Sequence, residues 1–279
     1  MAKRSNLNHE KEMSFLDHLE ELRWHLIRAT AAIVILATVA FLAKEFIFDI
    51  IIFGPKKADF PTYKLLCKAA QAIGFKDSFC FTELPFRVQS RTMAGQFSAH
   101  IWTSITAGFI VAFPYILHEF WSFLSPGLKI NERKSAKGFI IIASILFFIG
   151  VLFGYYIVTP LSINFLGTYQ VSSQVHNDFD LGSYISLVRA SALASGLIFE
   201  MPILIYILTK IGIVTPEILR KYRKFSMVIV LILSAIITPP DIASQVIVAV
   251  PIVILYEISI YISKAVIKKQ NKKLATQNN

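Results

Sequence analysis

Six apolar stretches, separated by short polar connectors and one long one, constrain this chain more than any other feature of it. A bilayer's hydrocarbon core, ~30 Å thick, offers no water to the backbone. A crossing segment must therefore be a helix of ~20 residues or a strand of a closed barrel. The first four stretches cover residues 24–43, 97–117, 138–165 and 182–209, and the last two are divided only by TPPD at 238–241. Those lengths suit helices. The expected fold is an all-α integral membrane protein of six transmembrane helices, one membrane domain over residues 1–279. Composition agrees: 16% of residues are charged and the mean hydropathy is +0.59, whereas soluble domains carry about 25% charge.

Helices five and six look short. Residues 225–238 give 14 positions, roughly 21 Å at 1.5 Å per residue. Two accounts stand open: a locally thinned bilayer, or Arg223 and Lys224 snorkelling outward.

Basic residues set the expected orientation. Lysine and arginine number four up to residue 23, four in 118–138, five in 210–224 and five in 264–279, against none in 170–182 or 238–241. The 44–96 loop holds eight, but long loops cross with little regard for charge. Both termini are thus expected in the cytoplasm: residues 1–23 as an amphipathic tail, 118–138 as a connector, 264–279 as a basic tail. The first 23 residues include five carboxylates, which no cleavable signal peptide would carry. Because the positive charge flanks apolar segments, the net +10 points to lipid headgroups and not to nucleic acid.

Motifs for catalysis, metal binding or cofactors are missing: there is no HExxH, GxSxG, P-loop or dinucleotide glycine pattern. His100 and His118 read as packing or interfacial residues. An enzyme is not expected. Ionisable residues inside apolar segments are more telling, because each is costly unless paired, protonated or wetted. Glu200 is the first, with Glu257 a weaker second. Arg189 precedes Glu200 by eleven positions, within about 20° of the same helix face but roughly 16 Å away along the axis. Pro202 loosens the helix beyond them. Two uses compete for Glu200, a functional carboxyl and a structural one bonded to a neighbouring helix. A proton-coupled secondary transporter built on Arg189 and Glu200 is the alternative function.

Between the second and third stretches lies FPYILHEFWSFLSPGLKINER, residues 113–133, crowded with aromatics, helix breakers and charge. Near the amino terminus, SFLDHLEELRWHLIRA has helical spacing with Asp17, Glu20, Glu21 and Arg23 on its polar side. Singly these charges are surface. Together, acidic points framing an aromatic patch suit a basic peptide with an apolar tail, and carboxylates favour arginine through bidentate pairing. Cys67 and Cys80, the only cysteines, share the long loop. They form either a disulfide worth roughly 3 kcal/mol in the chain-entropy model or two free thiols; the bridge is favoured because cysteine occurs nowhere else.

HLEELR at residues 18–23, FP…EFW.F..PGL…ER at 113–133, FE.P at 199–202 and TPPD..SQ at 238–245 together resemble the TatC family, the polytopic core of the twin-arginine protein translocase. The resemblance runs from about Ser14 to Ser263. It implies a multi-pass protein of the bacterial inner membrane, with both ends cytoplasmic, that recognises folded precursors by an Arg-Arg signal peptide. It also implies assembly with TatA-like and TatB-like single-span partners, a homo-oligomer within the complex, and energy from the proton motive force. By the family's pattern Glu21, Arg23, Phe123 and Glu132 would bind the signal, Glu200 with Pro202 would dock a partner helix, and Pro55, Asp241 and Gln245 would lie at the extracytoplasmic face. Arg189 has no counterpart in that pattern, and the 44–96 loop is longer than in many relatives.

Overall fold

Helix α1, Phe15–Leu42, does not stop where the first apolar stretch ends. The amide of Ala43 still donates to the Val39 carbonyl at 3.1 Å, and the chain runs on into a wide π-type turn, Phe46–Ile52. The computed structural model describes residues 15–73, 80, 86–124, 136–175, 177–238 and 241–277. After α1 come α2 (Pro61–Ile73), β1 (Arg87–Gln89), α3 (Gly95–Leu124), α4 (Ala136–Phe153), a second π turn (Gly154–Val158) and α5 (Thr159–Thr168). They are followed by β2 (Asp178–Asp180), α6 (Leu181–Phe199), α7 (Met201–Lys210), α8 (Pro216–Lys221), α9 (Arg223–Ile237) and α10 (Ile242–Gln277).

Among the described residues, five helical passages are long and apolar enough to cross a membrane: Leu19–Leu42, Gly95–Phe123, Gly138–Thr168, Leu181–Lys210 and Ser244–Lys272. Helix five, α9, has 15 residues, about 22 Å, so its expected shortness stands. Helix six is a correction. It runs 36 residues, Ile242–Gln277, and takes most of the basic tail 264–279 into one helix. Pro251, inside it, and Pro114, inside α3, do not end their helices; in lipid the helix remains the one local way to satisfy the backbone. The same rule corrects the reading of 113–133 and 118–138 as a connector. Residues 113–124 are the end of α3.

Lipid tails are as apolar as leucine, so helices in a membrane associate through close packing of small residues rather than through burial of apolar surface. Gly108 of α3 is one such contact: a Cβ built there would meet the Ala37 backbone nitrogen at 2.6 Å and the Ile33 carbonyl at 2.8 Å. Gly150 and Gly154 play the same part against α6, where a Cβ would run into the carbonyls of Ser195 and Ser191. At the centre, Phe147 is wholly buried and stacks on Phe113 at 3.5 Å.

One end of the bundle carries the start of α1; the opposite end carries the Phe46–Ile52 turn. Three tyrosine hydroxyls fasten the π turn and its exit: Tyr184 donates to the Ile52 carbonyl at 2.9 Å, Tyr155 to Ile51 at 2.8 Å and Tyr63 to Pro55 at 3.0 Å. Burial pushes the Tyr63 hydroxyl above its usual pKa, so it stays a donor at any physiological pH. Cys67 and Cys80 are joined as a disulfide. A two-stranded parallel ribbon, unforeseen in an all-α reading, pairs Arg87 with Asp178 and Gln89 with Asp180.

The crossing of α1 and α3 gives a direct test. Gly108→Leu should lower the unfolding temperature of the purified protein sharply, since overpacking costs about 1–3 kcal/mol or more. Gly138→Leu, where nothing lies within 4 Å, should leave it unchanged. Thermal unfolding in detergent measures both.

Candidate functional site

On the end that carries the start of α1, the last turns of α3 lie beside the first turns of α1. His25 and Glu119 meet there, Nδ1 to Oε2, at 2.5 Å, and the Glu119 side chain is only 8% exposed. Arg28 reaches the same oxygen at 3.7 Å while keeping half its surface outside, and the Tyr115 hydroxyl also bonds this carboxylate. A buried carboxylate is tolerated only with such company. The imidazole in turn presents an edge to the Phe123 ring, with centroids 6.3 Å apart. Behind them Trp121 is buried against Phe139 at 4.4 Å.

Glu21 sits one turn before His25, so both share the side of α1 that faces α3. It is half-buried. Glu21 thus lies one turn from the imidazole that meets Phe123, through a pair the sequence reading passed over. Arg23 does not join them. It is exposed on the other side of α1, bonded to Glu20 at 3.3 Å with its guanidinium 5.6 Å from the Trp24 ring. Glu132 lies outside the described residues. The missed signal was available in principle: Glu119 belongs to the EFW triplet and is an ionisable residue within an apolar run. Ending the second stretch at 117 moved it into a loop and hid its cost.

Glu200 occupies the break between α6 and α7. Pro202, fully buried, has no N–H to return to Ile198, and the ladder of helix bonds lapses there. The Glu200 amide turns to the Leu197 carbonyl at 3.1 Å. Its Oε1 is buried with no hydrogen-bond partner among the described residues. Such an atom awaits a donor. Arg189 does not supply it, since it lines a separate cleft with Ser98, Trp102 and Asp180 near the opposite face. The single Arg189/Glu200 site that a transporter would need is not formed. Glu257, the weaker intramembrane candidate, is an ion-pair partner, 2.5 Å from Arg223.

The three residues expected at the extracytoplasmic face have visible structural parts on the face opposite the start of α1. The buried Pro55 gives its carbonyl to Tyr63. Asp241 caps α10, accepting from the Ser244 amide at 2.9 Å and hydroxyl at 2.7 Å. Gln245 reaches across to the Leu231 carbonyl of α9 at 3.0 Å. The described residues hold no cluster of histidine, cysteine and carboxylate able to bind a metal.

A family model described as Sec-independent protein translocase protein (TatC) matches residues 17–251. The chain belongs to the TatC family. A TatC protein of Blattabacterium sp. subsp. Periplaneta americana is 46% identical over 264 residues, covering 94% of this chain and 99% of its own length. One from Aquifex aeolicus is 34% identical, covering 93% and 98%. Two crystal structures described as the twin-arginine translocase receptor TatC, one in DDM, align with TM-scores of 0.66 and 0.68 at 32% and 33% identity. They cover 89% and 88% of this chain and 99% of theirs. As a TatC-family member the chain is a multi-pass protein of the bacterial inner membrane and a component of a protein translocase, not an enzyme.

If His25 and Glu119 hold α1 to α3, a double-mutant cycle of His25→Ala and Glu119→Ala should give a coupling of about 0.5–3 kcal/mol. Denaturant titration of the purified protein reads it, and additive effects would mean the pair holds nothing.

Proposed function

We propose that this TatC-family chain is the receptor for twin-arginine signal peptides and the assembly scaffold of a translocase that exports folded proteins using the proton motive force. The observation that carries the proposal is the corner where Glu21, Phe123 and the His25–Glu119 pair converge. Arginine pairs bidentately with carboxylates, and lysine cannot. Glu21 and Glu132 take the two signal arginines in this reading, Phe123 forms the apolar wall between them, and the signal's apolar stretch lies along the flanking helices. Arg23, on the far side of α1, holds that helix end through Glu20 and Trp24 and does not touch the peptide.

Orientation follows from the same reading. The end bearing Glu21 and Phe123 is cytoplasmic, with residues 1–23, 118–138 and 264–279 on that side and 44–96 on the other, in one membrane domain. Glu200 docks the single helix of a TatA-like or TatB-like partner through a polar side chain, and the break at Pro202 makes room for it. Unpartnered Oε1 supports this role. Several copies of the chain assemble within the complex, among membrane lipids.

Purified protein carrying Glu21→Ala and Glu132→Ala together should bind an Arg-Arg signal peptide at least roughly tenfold more weakly than wild type, since charge-assisted hydrogen bonds are lost at both ends. Fluorescence anisotropy of a labelled peptide measures it. Wild-type affinity in a well-folded double variant would end the receptor proposal. Separately, Glu200→Ala should leave peptide binding intact while weakening capture of the single-span partner.

A further inference from the structure

Most helix hydroxyls in this bundle are spent locally. Thr38, Ser104, Thr106, Thr168 and Ser259 each donate to the carbonyl four residues back, at 2.6–2.8 Å, the usual way a helix absorbs a serine or threonine. Ser144 of α4 does not. It is only 9% exposed, and its Oγ has no hydrogen-bond partner among the described residues. A buried hydroxyl in that state is costly, and alanine would fill the position without the cost.

Its place in the fold is specific. α4 and α6 pass each other in opposite directions, with Gly154 against Ser191 and Ala192, and Gly150 against Ser195, Gly196 and Phe199. Phe147 and Val151 press on Gly196 from the same face of α4. Ser144 precedes them by three and seven positions and so continues that face, one turn nearer the break between α6 and α7. Earlier still on α4, Phe139 lies near Tyr206 of α7, with ring centroids 6.4 Å apart. Ser144 is thereby level with the stretch between Phe199 and Tyr206, where Glu200 stands. The Glu200 carboxyl lies against the Phe147 backbone, one turn from Ser144, and its Oε1 is likewise buried without a partner among the described residues.

A hydroxyl could serve that carboxyl, yet both atoms stand open. The group that suits the pair gives one hydrogen bond to Glu200 and takes one from Ser144. An uncharged side chain with both a donor and an acceptor does this without bringing charge into the bilayer. We propose that Ser144 is a second polar residue of the Glu200 docking site, its hydroxyl donating to the same partner side chain that donates to Glu200 Oε1. This inference rests on the docking role given to Glu200 above and adds the second residue and the chemistry of the guest.

The test is capture of a co-expressed TatA-like single-span partner, carrying glutamine or leucine at its intramembrane polar position, by the full-length chain purified from membranes. With the glutamine partner, Ser144→Ala should capture about fivefold less than wild type, and Ser144→Thr, which keeps the hydroxyl, should capture more than Ser144→Ala. Ser144→Ala combined with Glu200→Ala should lose less than the product of the two single losses, because both residues hold one guest. With the leucine partner, Ser144→Ala should match wild type. The unfolding temperature of Ser144→Ala should be unchanged or raised, since the hydroxyl removed has no partner to lose. Wild-type capture by Ser144→Ala, with Glu200→Ala impaired, would overturn the inference and leave the docking role of Glu200 standing. So would equal losses with both partners, or a lowered unfolding temperature. Wild-type capture by Glu200→Ala would instead remove the docking role, and this inference with it.

Discussion

Everything at the candidate site depends on how closely α3 can lie against α1, and Gly108 sets that distance. In water a mismatch of this kind is forgiven by the hydrophobic effect, but inside a bilayer contact and polar bonds must hold helices together. With the Gly108 Cα against the backbone of Ile33 and Ala37, the two helices leave the crossing near enough for His25 to reach Glu119 some three turns further on. That bond then fixes the Phe123 ring against the imidazole. A packing contact in mid-membrane thus governs the geometry of the corner at its edge. Gly150 and Gly154 do the same for the packing of the second π turn and α4 against α6.

The two polar sites differ in how their charge is managed. At the corner, Glu119 is surrounded by His25, Arg28 and Tyr115, so its carboxylate is a structural anchor. At the break before Pro202, Glu200 keeps an unanswered oxygen. A buried acceptor without a donor costs about 1–3 kcal/mol, and a partner helix that brings a donor recovers that cost on docking. In the proposed reading, binding at the corner and assembly at the break are served by separate devices within one bundle.

Much of the fold was legible from apolar length alone, because the bilayer leaves the backbone so few options. The failures share a cause. Residues 113–124 were read as connector on account of Pro114 and the crowding of aromatics and charge, and a proline does end helices in water. In lipid the backbone has no other partner, and α3 continues to Leu124. The basic tail was given no secondary structure, and α10 carries it as helix to Gln277. Of the site, Glu21, Phe123 and Glu200 could be found through family motifs. His25 and Arg28 could not, since single charges on α1 acquire meaning only once α3 is beside them. The disulfide was stated as a choice, which pairing in three dimensions resolves. Arg23 shares the motif but lies on the other side of α1, because a motif says which residues recur, not which side of a helix they face.

The central claim is that the Glu21–Phe123 corner reads arginine in a precursor's signal. Site-specific photocrosslinking from position 123, with precursors carrying RR or KK at the signal, tests it most directly in native membranes. The account predicts a strong adduct with RR and one weaker by about tenfold or more with KK, as bidentate pairing requires. Equal adducts with RR and KK, or none with RR, would contradict it.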